Sequence, residues 1–350
     1  MKFDVIVIGG GQAGLATGYF LKKTNLSFLI IDKGEEIGEV WKNRYDSLKL
    51  FTPRNYSSLP GLGLDSNQDD YPTKDEIAQY LSNYAKTFDL PLKLSTEVQR
   101  LHLANEEYII STNNGEFTAG NVIIATGAFQ NPFIPRLNGS LSDQIYQCHS
   151  SQYKNPKQLK EGPVLVVGGG NSGAQIAVEL SKERETYLSV SHKIKFLPQD
   201  IMNRSIFLWL DKLGIYSANV NSMIGQFIKK QPDPIFGNEL KIQIRTGKII
   251  IKPKTISINN DSIIFKDDTR IKVNNVIWST GFKSDYSWID IDGVVNQKGL
   301  PIHERGISPI KGLYFIGLPW QYSRGSALIQ GVGKDAEYLI KHIQNNGRIP

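Results

Sequence analysis

Residues Asp4–Gly14 read DVIVIGGGQAG and residues Pro163–Gly173 read PVLVVGGGNSG, one pattern written twice in 350 residues. Each copy is a short, largely β-branched run, three consecutive glycines, and a further glycine three positions on. A run this short and this uniformly apolar reads as a parallel strand buried on both faces. Helix-forming stretches follow, Leu15–Lys23 and Ala174–Lys182, and then a second strand, Phe28–Asp32 in one copy and Tyr187–Ser191 in the other. Asp32 stands 23 residues after Gly9 and Ser191 stands 23 after Gly168, so the copies are expected in equal register.

A strand that runs into G-x-G-x-x-G and opens a helix is the context in which this motif binds a dinucleotide. In the first copy Gly9 permits the tight turn, Gly11 lets a pyrophosphate approach the backbone, and Gly14 lets helix and strand pack closely. Gln12 and Ala13 lie between them, at the helix N-terminus whose amides would face the phosphates. Asp32, followed by Lys33, is placed to accept hydrogen bonds from an adenosine ribose. The N-terminal position of this copy favours FAD, because a long flavin dinucleotide draws contacts from both ends of a chain. The C-terminal end supplies a matching strand with a glycine exit, Gly312–Pro319 (GLYFIGLP, with Gly317), and a helix expected over about Ala327–Ile343.

In the second copy Gly168, Gly170, Asn171, Ser172 and Gly173 form the cradle, and Ser191, His192 and Lys193 stand where the first copy has its carboxylate. Losing that carboxylate removes repulsion toward a 2′-phosphate, and imidazole and ammonium groups can bind one. NADPH is therefore the expected second cofactor, ahead of NADH. Two further strands end in Thr-Gly: Asn121–Phe129 (NVIIATGAF, with Thr126 and Gly127) and Asn275–Phe282 (NVIWSTGF, with Thr280 and Gly281). The expected fold is α/β, with two Rossmann-like dinucleotide-binding domains and the NAD(P) domain inserted into the FAD domain. The boundaries read as 1–155 and 282–350 for FAD and 156–281 for NAD(P), with linkers near 150–162 and 281–285. Between 205 and 262 the pattern is weaker: an aromatic stretch at Ile206–Leu210 and hairpin strands expected over Ile242–Ile251 and Ile256–Phe265.

Composition bounds the function. A net charge of +6 spread along the chain gives no basic stripe for nucleic acid. No apolar run reaches membrane-spanning length and no hydrophobic leader opens the chain, so a cytoplasmic protein is expected. Cys148 is the one cysteine, which leaves no redox-active cysteine pair and reads as a small buried apolar residue.

With the segment Trp41–Gly61 (WKNRYDSLKLFTPRNYSSLPG), Tyr71-Pro72-Thr73 and Leu313–Asp335, the whole chain resembles the small bacterial flavin-containing monooxygenases of the class B flavoprotein monooxygenases. The resemblance implies that Gly9, Gly11, Gly14, Asp32 and Trp41 bind FAD. It implies that Gly168, Gly170, Ser172 and the Ser191–Lys193 corner bind the nicotinamide cofactor. Asn171, Trp278, Trp320, Tyr322 and Gln330 are candidates for the flavin's surroundings. The implied reaction passes hydride from NADPH to FAD, and then oxygen from O2, through a C4a-peroxyflavin, to a sulfur or nitrogen of a small-molecule substrate. A homodimer is compatible with it. Of the family's linker pattern F-x-G-x-x-x-H-x-x-x-Y, His149 and Tyr153 are present while Asp143 and Ile145 replace the phenylalanine and glycine. Phe51 stands at the position of the family's flavin-side asparagine and cannot donate a hydrogen bond. An NAD(P)H oxidase or electron-transfer reductase that oxygenates nothing is the alternative, and a flavin-binding accessory protein a third.

Overall fold

A computed structural model describes residues 1–65 and 70–346; the final residues, 347–350, of the second FAD-domain segment lie outside it. Two sheets built largely of parallel strands carry the chain. In the larger, β1 (Lys2–Ile8) lies between β2 (Phe28–Ile31) and β6 (Gly115–Ile124), parallel to both, with Ile8 level with Ile31 and Ile124. Beyond β2 comes β3 (Leu92–Lys93). On the other side β6 continues antiparallel into β5 (Glu107–Thr112) and β4 (Val98–Ala104). Leu313–Phe315 pairs with β6 and Ile289–Asp290 with β4, so the end of the chain returns to this sheet.

Val5, Ile6 and Val7 are fully buried and Ile8 nearly so, because both faces of β1 are covered. Burial of each such side chain is worth about 1.5–3 kcal/mol. One face packs on α1 (Gln12–Leu21), on α3 (Lys74–Thr87) and on the C-terminal helix Ile329–Asn346, through Leu15, Ile77, Val332 and Leu339. The other face packs under the antiparallel strands, through Leu101, Tyr108, Ile110 and Phe315. Between α1 and α3 lies the short helix α2 (Glu39–Lys42).

The smaller sheet is parallel throughout. Its order is Ile249–Lys252, β10 (Thr186–Ser189), β9 (Val164–Val167), Asn275–Trp278 and β8 (Tyr146–His149). Helix α4 (Asn171–Leu180) covers one face, and Ile263, Phe265 and Val273 of a three-stranded antiparallel layer cover the other. Tyr146–His149 already belongs to this sheet, so the passage from the larger sheet precedes residue 146 instead of residue 156. It runs through β7 (Asn131–Pro132), which pairs antiparallel with Phe282–Lys283 on the way back. The two connections are thus laid side by side. His149 ties them, its Nε2 2.9 Å from the carbonyl oxygen of Gly281.

In the less regular region one expectation changes, and the aromatic stretch, for which the sequence predicts no element, takes a definite form. Ile206–Leu210 lies in a helix, Ile206–Lys212, because Ser205 caps it by accepting from the Phe207 amide. The expected strand over Ile242–Ile251 is instead a helix, Glu239–Arg245, that packs Leu240 into the core beside α4, followed by a shorter strand, Ile249–Lys252. The hairpin over residues 255–265 forms.

Candidate dinucleotide cradles and the cleft beside them

The two glycine loops have the same construction. Gly9 and Gly168 both adopt positive φ, 113° and 116°. A Cβ on either would strike the backbone carbonyl of the neighbouring strand's exit, Ala125 at 2.6 Å and Ser279 at 2.2 Å. A Cβ on Gly14 or Gly173 would strike the carbonyl oxygen of Gly9 or Gly168, at 1.8 and 2.0 Å. A Cβ on Gly11 or Gly170, by contrast, meets no atom within 4 Å. The outer glycines are therefore required by the protein's own packing, whereas the middle one faces open space. That is the position that would let a phosphate reach the backbone.

Among the described residues, neither helix that starts here has a side chain capping its first amides. Gly11 and Gly170 are their N-caps and provide no side-chain hydrogen bond. Helix α3 shows what a self-sufficient start looks like: Thr73 and Glu76 close a capping box over its first amides. Two helix N-termini without side-chain caps above an open glycine fit an anionic ligand.

The first cradle gathers most of the residues the sequence assigned to it. Asp32 accepts from the Gly10 amide at 2.5 Å and from the Gly34 amide at 2.7 Å, so its carboxylate is anchored at the loop with lone pairs to spare. Trp41 donates to Gln12, whose own amide donates to the carbonyl of Ala327, each at 3.4 Å. Gly317 comes against Ala13, where an added Cβ would sit 3.0 Å from the alanine methyl. The Thr126 hydroxyl and the Gly127 carbonyl are bound by Gln130 at 3.1 and 2.9 Å. Gln330, in the first turn of the C-terminal helix, has a buried side-chain oxygen without a partner. Lys33 is exposed and makes no such contact.

The second cradle differs from the first by one residue, which corrects the equal spacing read from sequence. Gly9 donates its amide to Ile31, and Gly168 donates to Ser189. Asp32 packs beside Gly10, and it is Val190 that packs beside Gly169. The residue matching Asp32 is thus Val190, and Ser191, His192 and Lys193 follow one step later, all exposed. Asn171 donates to the Pro234 carbonyl at 3.3 Å, and the Thr280 hydroxyl donates to the carbonyl of Phe133. Gly281 has positive φ, 82°, and its carbonyl takes the His149 bond. Burial holds the His149 imidazole below its usual pKa. Tyr153 is buried with its hydroxyl 2.7 Å from Glu179; these two linker residues therefore pin structure. Trp278 is a core residue of the smaller sheet, bonded to Gln147.

A cleft of about 700 Å³ opens between the segment around Phe51 and α4, and includes Asn171 and Gln175. Phe51 stacks on Phe236 at 4.8 Å and on Phe207 at 6.1 Å, and Tyr56 and Tyr216 complete the cluster. Sequence reading missed this wall, because Phe207, Tyr216 and Phe236 come from the weakly patterned region and meet Phe51 only in three dimensions. It also missed Arg44, whose guanidinium lies over Phe129 and Phe282 at 4.9 and 5.3 Å, at the joint of both Thr-Gly exits.

The pyridine nucleotide-disulphide oxidoreductase family model matches residues 6–204. An uncharacterized oxidoreductase, CzcO-like, of Geobacillus kaustophilus is 60% identical over 343 residues, 98% of this chain and 99% of that protein. The uncharacterized oxidoreductase CzcO of Bacillus subtilis is 55% identical over 345 residues, 99% of each. Among solved structures, the flavin-containing monooxygenase from Stenotrophomonas maltophilia superposes with a TM-score of 0.83 at 28% identity, covering 98% of both chains.

Proposed function

The chain belongs to the pyridine nucleotide-disulphide oxidoreductase family, and on that premise we propose that this oxidoreductase is a flavin-dependent monooxygenase holding FAD on the first cradle and NADPH on the second. The observation that carries this is the twin construction just described. Two loops 159 residues apart, Gly9 and Gly168, share required outer glycines, an open middle glycine and an uncapped helix. One has a carboxylate at the ribose position and the other a valine. The larger sheet would form the FAD domain and the smaller, inserted sheet the NAD(P) domain.

Each cofactor has its own holding residues. Gly9, Gly11, Gly14 and the start of α1 would receive the FAD pyrophosphate, Asp32 the adenosine ribose, and Trp41, Gln12, Gly317 and Gln330 the remainder. Gly168, Gly170, Asn171, Ser172 and Gly173 would receive the NADPH pyrophosphate. Val190 removes the carboxylate that would repel a 2′-phosphate, and His192 and Lys193 lie exposed next to it. When bound, the flavin accepts hydride from NADPH and activates O2, one oxygen atom passing to a soft sulfur or nitrogen and the other leaving as water. Phe51 and Phe236 give the cleft an apolar wall, with Phe207 packed against both, and no acid–base dyad is required of the protein. The family's name also covers disulphide chemistry, which needs a cysteine pair. This chain has only Cys148, which is buried, with its thiol pushed up by desolvation.

The test is direct. Protein reconstituted with FAD should bleach anaerobically on adding NADPH, and in air should convert an aryl methyl thioether to sulfoxide in step with NADPH consumed. Protein that takes up no FAD would end this reading. Full conversion of NADPH to hydrogen peroxide with no sulfoxide would leave an oxidase instead.

A further inference from the structure

A second cavity, of about 430 Å³, lies between residues 219–229, the turn at 303–305, the 319–322 segment and the C-terminal helix, and is lined by none of the glycines of either cradle. That volume is within the range of small-molecule sites (about 300–1,000 Å³). Arg305 forms its centre. The guanidinium is held between two rings, 3.8 Å from the Tyr322 centroid and 3.9 Å from that of Tyr338. Beneath it is Asp335, 1% exposed, whose carboxylate faces Ser326 and Arg305 without a close hydrogen bond to either. The distance from Asp335 Oδ1 to Arg305 Nε is 3.7 Å, too long for a hydrogen bond.

This arrangement is expensive for the fold. Arg305 and Trp320, both lining the cavity, adopt left-handed backbone with φ of 47° and 59°. Residues with large side chains rarely adopt this conformation, and those that do gather at ligand sites. Arg305 is stacked on both faces and carries Asp335 behind its Nε. No described residue accepts from its terminal nitrogens, which leaves the outer edge of the fork for the cavity. A planar fork already immobilised by two rings matches a carboxylate with two parallel hydrogen bonds.

Charge narrows the choice. The ionised cations on the cavity wall are Arg305 and Lys229, set against the exposed Glu304. His303 is held toward its neutral form by burial and by Lys229. Glu304 on the rim and Asp335 behind Arg305 offset the two cations, so the cavity favours a single negative charge over a phosphate dianion. Trp320, Tyr322 and Tyr338 offer π surface for a flat ring.

We propose that this cavity binds a small aromatic carboxylate, its carboxyl group on the Arg305 fork and its ring against Trp320. The proposal does not rest on the flavin assignment. Calorimetric titration of FAD-supplemented protein with phenylacetate tests it, alongside phenylacetamide (same shape, no charge), cyclohexylacetate (same charge, no π face) and inorganic phosphate. Phenylacetate should bind at least tenfold more tightly than each of the others. Arg305→Lys, which keeps the charge and loses the fork, should weaken phenylacetate tenfold or more with unaltered FAD content. Equal affinity for phenylacetamide, tighter binding of phosphate, or an Arg305→Lys protein that binds phenylacetate normally would each overturn the proposal. If Arg305→Lys fails to fold, the comparison of the four ligands on the unaltered protein still decides.

Discussion

Gly170→Ala separates folding from nucleotide binding at the second cradle. Gly170 has φ −80° and ψ 178°, which alanine adopts freely, and a Cβ there meets no atom within 4 Å. Replacing glycine at a compatible position stabilises by about 0.4–1 kcal/mol through the unfolded chain, and alanine is a poorer N-cap by a similar amount. The net change in stability is therefore below about 1 kcal/mol, or less than about 4 °C in Tm. The open space that makes the substitution harmless to the apoprotein is where the proposed NADPH pyrophosphate would lie. A methyl group there pushes the phosphate off at least one amide, and a charge-assisted hydrogen bond is worth about 1.5–3 kcal/mol. At about 1.4 kcal/mol per tenfold, the Kd for NADPH should rise on the order of 10- to 100-fold. The assay pairs thermal unfolding and flavin content with anaerobic flavin reduction at varied NADPH. Unchanged melting, unchanged FAD and half-saturation like the wild type would refute the reasoning, because the second loop would then be only a turn.

Gly173→Ala should behave in the opposite way: its Cβ would lie 2.0 Å from the Gly168 carbonyl, so α4 must move off β9, and thermal unfolding should fall by several degrees or the protein should not accumulate. Val190→Asp restores a carboxylate at the matched ribose position and should lower the NADPH-to-NADH ratio of kcat/KM by about tenfold or more, since tenfold is only about 1.4 kcal/mol; a ratio that stays put would show that the 2′-phosphate lies elsewhere. Phe51→Asn removes a stacked ring from Phe236 and Phe207, at a cost of about 0.5–1.5 kcal/mol beyond lost burial, and supplies an amide donor to the cleft. The hydrogen peroxide formed per NADPH should then decrease, as read by a peroxide-coupled assay. His149, held below its ordinary pKa by burial, takes up a proton more readily in the unfolded chain, so the fold loses stability as pH falls below about 6.5 and keeps it above. In His149→Gln the Tm should depend less steeply on pH across that window, and an identical slope would exclude the imidazole as the source.

What could be read in advance follows how local the physical cause is. The glycine loops were legible because strand, turn and helix are consecutive, and steric demands such as Gly14 on the Gly9 carbonyl are met within a few residues. Asp32 was legible for the same reason, since the strand after α1 returns it to Gly10. The second copy was misread by one position: Ser189, not Val190, completes β10 against Val167, and counting from glycine to strand end does not see where pairing stops. The helix Glu239–Arg245 looked strand-like because Leu240, Ile242 and Ile244 alternate along it. The packing of Leu240 beside α4 decided otherwise.

The residues furthest from legibility are those whose partners are distant in sequence. Arg305 takes its meaning from Tyr322, Tyr338 and Asp335, and Arg44 from Phe129 and Phe282. A lone arginine in a chain of 40 basic residues carries no pattern of its own; only the fold distinguishes a solvated cation from one clamped between rings. The cofactor loops and the Arg305 cavity therefore answer to different perturbations. Gly170→Ala should leave phenylacetate affinity unchanged, and Arg305→Lys should leave NADPH half-saturation unchanged. Cross-effects in both directions would mean that the two sites are one, and that the ring-stacked arginine belongs to the nucleotide's own binding surface.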